Sequence, residues 1–152
     1  MKINFFEKFI GSGFYSGYFP IASGTVGSLA AILIYLIPGF EQLFIIIPAT
    51  LIFIVYGIVL GTKFEAQYGK DPAECTVDEV VGTWISLIAL PKILWIIVAA
   101  FFVWRILDII KPPPARNLER LNGGLGIMID DIISGLYTLI IMHLVVYLLG
   151  KF

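Results

Sequence analysis

Five carboxylates stand at the borders of apolar segments: Asp78 and Glu79, Asp108, and Asp130 and Asp131. An acid inside or beside such a segment is costly, so it usually has a partner or a task. A local assignment exists for three of them. Asp78 and Asp130 can cap helices, and Asp108 can pair with Arg105 or Lys111. Acids at three separate helix borders point instead to a joint site. Gathered carboxylates repel one another and stay ionised together only around something positive. Hard divalent cations take oxygen ligands, and Mg2+ is typically held by one or two carboxylates with phosphate oxygens and water. A Mg2+-phosphate reaction is the chemistry this set suggests.

The neighbouring basic residues fit it. Arg105, Asp108 and Lys111 are spaced three apart and share one helix face. Arg105 can grip a phosphate as a fork and Lys111 as a point charge, although both can also snorkel to an interface. Gly24-Thr25-Val26-Gly27-Ser28 opens an apolar helix. Its free N–H groups can meet an anion, or the pattern can serve an N-cap and close helix packing.

Other phosphoryl and acyl chemistries are not written in the chain. Cys75 is the single cysteine, and Val81 stands where a Cys-based phosphatase loop would carry Arg. His143 is the single histidine and lies deep in the last apolar segment, so a Ser-His-Asp triad lacks its base. There is no GxxxxGK[ST] segment. The net charge of -1 gives no bulk attraction to nucleic acid.

These residues are positioned by apolar elements. Hydrophobic residues make up 59% of the 152 residues and charged ones 14%, against roughly 25% charged in soluble domains. No charge interrupts 9–40 or 42–62. The reading is a single all-α domain over 1–152, a polytopic membrane bundle of about five helices. The first runs over Val26–Ile37 and ends at Pro38-Gly39. The second runs over Gln42–Gly61, with a polar extension toward Tyr68 and a kink at Pro48. The third follows Thr76, which with Glu79 resembles a capping box, and stops at Pro91. The fourth runs over Lys92–Ile110 before three prolines, and the fifth over Ile127–Leu149. Met1–Ile10 reads as an interfacial amphipathic segment, and Gly11–Gly24 as an uncharged loop.

Five helices with short connections alternate in direction. All the acid-bearing ends then fall on one side, with eight of the ten Lys and Arg residues. The positive-inside bias makes that side cytoplasmic, hence a location in the cytoplasmic membrane. Val26–Ile37 and Val80–Leu90 have 12 and 11 residues, each about 17–18 Å long against a hydrocarbon core of ~30 Å. Their starts are expected below the surface, in a recessed and partly wet pocket. Small and polar residues at 79, 82, 83, 86 and at 131, 134, 135, 138 form stripes that turn Glu79 and Asp131 toward the bundle.

Three blocks resemble the phosphatidylglycerophosphatase A family. They are Gly11-x-Gly13 through Pro20-x-Ala22-Ser23-Gly24-Thr25-Val26-Gly27-Ser28-Leu29; Val77-Asp78-Glu79-Val80-Val81-Gly82-Thr83-Trp84; and Trp104-Arg105-x-x-Asp108-x-x-Lys111-Pro112-x-Pro114 to Gly123-Gly124-x-Gly126-Ile127-Met128-Ile129-Asp130-Asp131. Ser23 and Trp104 depart from the family's frequent Pro and Phe. The resemblance implies a Mg2+-dependent membrane enzyme that removes the terminal phosphate of phosphatidylglycerophosphate. It implies Asp78, Glu79, Asp130 and Asp131 as metal ligands and Asp78, Asp108 and Asp131 as catalytic carboxylates. Thr25, Ser28, Arg105 and Lys111 would meet phosphate. The partners implied are the bilayer and an anionic glycerophospholipid, with no nucleic acid; a homo-oligomer stays open. From the residues alone, water attack and a phosphoaspartate route both stand, and so does a non-enzymatic ion-binding or transport subunit.

Overall fold

A computed structural model describes residues 2–151. Seven helices and one short 3-10 turn, Ser16–Tyr18, make up the regular structure, with no strand among the described residues. The helices are α1 (Phe5–Gly11), α2 (Ser23–Tyr35), α3 (Leu43–Tyr68), α4 (Val77–Leu87), α5 (Leu94–Ile110), α6 (Ala115–Leu118) and α7 (Gly124–Leu148). The five expected apolar helices are α2, α3, α4, α5 and α7. Two elements add to them: α1, and the single turn α6 that follows the prolines.

The central helix is α4. Of its eleven residues only Glu79 is not fully buried, and α2, α3, α5 and α7 all pack on it. Small residues let the neighbours close in. A Cβ on Gly82 would stand 2.6 Å from the Trp104 ring, and one on Gly135 would stand 2.8 Å from the Gly82 carbonyl oxygen. Trp84 fills the other side of α4, between the rings of Phe40 and Phe53, and its indole N–H donates to the Ala31 carbonyl at 3.0 Å. The outer faces stay apolar: Ile52, Val55, Phe102 and Ile140 are all exposed. α3 and α7 are long and apolar enough to cross a membrane, by length and composition. At 1.5 Å per residue, α3 with 26 residues covers about 39 Å and α4 with 11 about 16 Å.

Several boundaries differ from the sequence expectation, each for a local reason. α2 starts at Ser23, three residues early, because Ala22 takes a left-handed conformation (φ 52°) that turns the chain after Pro20. The uncharged segment before it is not wholly irregular, since Ser16–Tyr18 forms the 3-10 turn. α4 ends at Leu87 rather than near Leu90, and Ala89 is also left-handed (φ 58°). α5 begins at Leu94 rather than Lys92, whose ammonium instead reaches Glu41 and the Ile37 carbonyl across the far end of the bundle. The capping box expected at Thr76 and Glu79 does not form. The Thr76 hydroxyl bonds Ser16 Oγ at 2.9 Å, and the Glu79 carboxylate is taken by Arg105 and Ser28. A capping box occurs instead at Asn4 and Glu7, opening α1.

Candidate active site

Four helix ends converge at one end of the bundle: the starts of α2, α4 and α7 and the finish of α5. Between them lies a cavity of ≈ 340 Å³. Ser23 and Gly24 come from α2, Asp78 and Glu79 from α4, Asp108 and Ile109 from α5, and Asp130 and Asp131 from α7. Lys111 and the 71–76 loop complete the wall. The five carboxylates singled out in the sequence therefore share one cavity. The far end of the bundle carries a separate Lys92–Glu41 pair at 2.8 Å.

Within the cavity the acids divide into two groups. Asp108, Asp130 and Asp131, all buried, each offer one carboxylate oxygen, and these oxygens lie within 4.8 Å of one another. Asp130 Oδ1 and Asp131 Oδ2 are buried without a hydrogen-bond partner. Unsatisfied buried oxygens are expensive. Three buried carboxylates converging, two of them with an orphaned oxygen, form a donor set suited to a hard divalent cation.

Glu79 belongs to the second group. Its carboxylate is paired with Arg105 and accepts from the Ser28 hydroxyl at 3.3 Å. Arg105 also reaches Asp108 at 3.0 Å, so one guanidinium ties α4 to α5. Asp78 Oδ1 accepts from the backbone N–H of Glu79 at 3.0 Å, a self-contained turn at the head of α4. The expected metal set held Asp78 and Glu79 and left out Asp108. The geometry brings Asp108 into the converging trio and leaves Glu79 occupied by Arg105.

The residues expected to meet phosphate separate likewise. Lys111 lines the cavity and contacts Asp130 Oδ2 at 2.6 Å and Glu119 Oε2 at 2.8 Å. Burial pulls its ammonium down, but these two carboxylates outweigh burial and hold it above its ordinary value. Arg105 stands behind Glu79 and Asp108. Thr25 and Ser28 do not line the cavity, and the Ser28 hydroxyl is turned back to the Gly24 carbonyl at 2.8 Å. Cys75 is buried in the wall, and burial pushes its thiol up, away from the reactive thiolate.

Ser23 and Asp71 also stand in the wall, although neither is among the site residues expected from the sequence. Asp71 sits in the Gly69–Thr76 loop with a left-handed backbone (φ 47°), followed by Pro72. The Asp-Pro pair signals a turn, but nothing in its spacing tells that the turn folds over the acids.

Comparison with known proteins fixes the family. The model of the family described as "PgpA: Phosphatidylglycerophosphatase A" matches residues 9–146. The chain belongs to the phosphatidylglycerophosphatase A family. It is 41% identical over 142 residues to the phosphatidylglycerophosphatase A of Escherichia coli K12, covering 88% of this chain and 79% of that protein. With the phosphatidylglycerophosphatase A of Haemophilus influenzae it is 38% identical over 139 residues, 89% and 85% of the two chains. A Bacteroides thetaiotaomicron protein named "Putative phosphatidylinositol-3-phosphatase" is 37% identical over 155 residues, 97% and 98% of the chains. No solved structure matches. The phosphatidylglycerophosphatase A match spans all four helix ends around the cavity, and membership makes this chain a phosphatase.

Proposed function

We propose that the chain hydrolyses the terminal phosphomonoester of phosphatidylglycerophosphate, giving phosphatidylglycerol and phosphate, in a Mg2+-dependent reaction at the cytoplasmic face of the membrane. The observation that carries this reading is the pair of orphaned oxygens, Asp130 Oδ1 and Asp131 Oδ2, beside Asp108. Asp108, Asp130 and Asp131 would hold the ion. When bound, Mg2+ supplies Lewis-acid neutralisation of phosphoryl oxygens.

The chain's own groups do the rest. Lys111 presents its ammonium to the phosphoryl group from the α5–α6 junction, and its raised proton affinity keeps it charged at working pH. Asp78, on the wall at the start of α4, orients a water and takes its proton. One P–O bond forms from that water, the ester P–O bond breaks, and the departing glycerol oxygen takes up a proton. Arg105 holds Glu79 and Asp108 in place through its paired carboxylates. α1 lies along the membrane interface, with Phe5 and Phe6 exposed toward lipid. The short α4, flanked by the longer α3 and α7, supports a recess that the headgroup enters while the acyl chains stay in the bilayer.

The Bacteroides relative's name keeps a second anionic lipid phosphomonoester in view, phosphatidylinositol 3-phosphate. Phosphate release from each lipid, measured in the same mixed micelles, separates the two. The expected result is turnover of phosphatidylglycerophosphate well above that of the inositol lipid; the reverse order would overturn the substrate assignment.

A further inference from the structure

An apolar groove of ≈ 280 Å³ lies between α2 and α5, lined by Leu29, Ile32, Leu36, Ile97, Val98 and Phe101 among others. α2 and α5 are the two helices whose site-side ends give Ser23, Gly24, Asp108 and Ile109 to the polar cavity. The groove begins six residues beyond Ser23 on α2, at Leu29. On α5 it begins six residues before Asp108, at Phe102. Both walls therefore set its near end about 9 Å from the cavity, and Leu36 and Leu94 set its far end about 20 Å away. The two helices run in opposite directions, so the groove follows their length from the polar site toward the opposite end of the bundle.

Arg105 marks the junction. It lies on α5 between Asp108 and Phe102, with Nη1 on Glu79 and Asp108. Its Nη2 lies 3.4 Å from where a Cβ on Gly24 would stand. A cation thus sits between α2 and α5 on the stretch of α5 that separates the polar cavity from the apolar groove. Ile109, exposed on the cavity rim, supplies an apolar surface at the same border.

We infer that this groove is the acyl-chain subsite of the enzyme. A substrate whose terminal phosphate is in the cavity leaves laterally between α2 and α5, with one acyl chain along Leu29, Ile32, Ile97 and Phe101. The inference rests on the lipid-phosphatase reading above and specifies how that lipid is held. The fit is chemical: the groove wall offers almost no polar surface, Leu29, Leu36, Val98 and Phe102 on it are exposed while Ile97 forms a buried floor, and it lies along the same two helices as the cavity that gathers the acids, with Arg105 between the two on α5. A second apolar hollow on α3, at Leu51, Ile52, Val55, Tyr56 and Val59, has the same character. α3 gives no residue to the polar cavity, so that hollow serves as the control for ordinary lipid contact.

The test fills each hollow with a large side chain at an exposed position. Val98→Trp fills the groove and Val55→Trp the α3 hollow; Val98 and Val55 are exposed, so both proteins are expected to fold. Phosphate release is measured for phosphatidylglycerophosphate with long chains and with short, monomeric chains. The expected result is a KM for the long-chain lipid raised about tenfold in Val98→Trp, the equivalent of some two methylenes left unburied. The short-chain KM and both Val55→Trp values would stay near those of the parent enzyme. Unchanged long-chain KM in folded Val98→Trp would overturn the subsite and leave the phosphatase reading intact. Equal loss in Val55→Trp would also overturn it, showing only general annular lipid. No release by the parent enzyme from either lipid would instead defeat the underlying reading, and the subsite with it. A photoactivatable diazirine at mid-chain gives a readout independent of turnover: labelling at 97–101 supports the groove, and labelling confined to α3 contradicts it.

Discussion

Arg105 Nη1 lies 3.0 Å from Asp108 Oδ2, one turn along α5, and the same nitrogen pairs with Glu79 on α4. Two carboxylates on different helices thus share one guanidinium at the rim of the acid cavity. All three side chains are largely buried, with exposures of 12–15%. Removing one partner from such an arrangement leaves uncompensated charge.

Arg105→Ala is accordingly expected to lose activity and stability together. Two acids left unpaired cost about 3 kcal/mol by the usual penalty for a broken buried pair. Thermal unfolding in detergent reads the loss. Arg105→Lys keeps the charge without the fork, so it should recover part of the stability and less of the turnover. A fully active Arg105→Ala protein would show that the pair does not organise the site.

Asp131→Asn removes charge from the converging trio with almost no change in shape. Turnover should fall by at least about 100-fold, and the Mg2+ concentration for half activation should rise by about tenfold or more. Circular dichroism should remain that of the parent. Unchanged Mg2+ activation in the folded variant would remove Asp131 from the ion site.

Lys111→Met tests phosphate contact. Its ammonium is held above its ordinary proton affinity, and the sign follows. A raised group contributes fully below its unfolded pKa, about 10.4, and its contribution fades only as pH rises through the higher folded value. The expected outcome is a KM raised about tenfold, by a factor that is constant between about pH 6 and pH 9. A KM ratio that collapses within that range would contradict a permanently charged Lys111.

Gly124→Ala probes the packing that brings α7 to the site. A Cβ there would stand 1.9 Å from the Ile58 carbonyl oxygen of α3, a backbone atom that cannot swing aside. Overpacking of this kind costs about 1–3 kcal/mol. A lowered unfolding temperature is expected, with reduced turnover because Asp130 and Asp131 lie two turns further along α7. Parent-like stability would contradict close α3–α7 contact at this point.

Much of this site is legible in the sequence because charges in an apolar chain have few places to go. Asp78, Glu79, Asp108, Asp130 and Asp131 stand at helix borders, and alternating helix direction alone brings those borders together. Asp71 escaped because a loop's fold over a cavity depends on contacts far away in sequence. The division of labour among the acids was also hidden. That Asp108 rather than Glu79 joins Asp130 and Asp131 depends on how the helix ends meet, and helical spacing places Arg105 near Asp108 without showing that it also reaches Glu79. Thr76 illustrates the same limit: its spacing to Glu79 suits a capping box, yet Ser16, sixty residues away, takes its hydroxyl.

Mg2+ held by Asp108, Asp130 and Asp131 is proposed to support phosphate release from phosphatidylglycerophosphate. The direct measurement is phosphate release by chelator-treated, folded protein in detergent micelles, before and after Mg2+ is restored. The expected result is release near background without the ion and full recovery with it, and no such recovery in Asp131→Asn. Equal release in the presence of chelator, or none from the parent protein with Mg2+ restored, would contradict it.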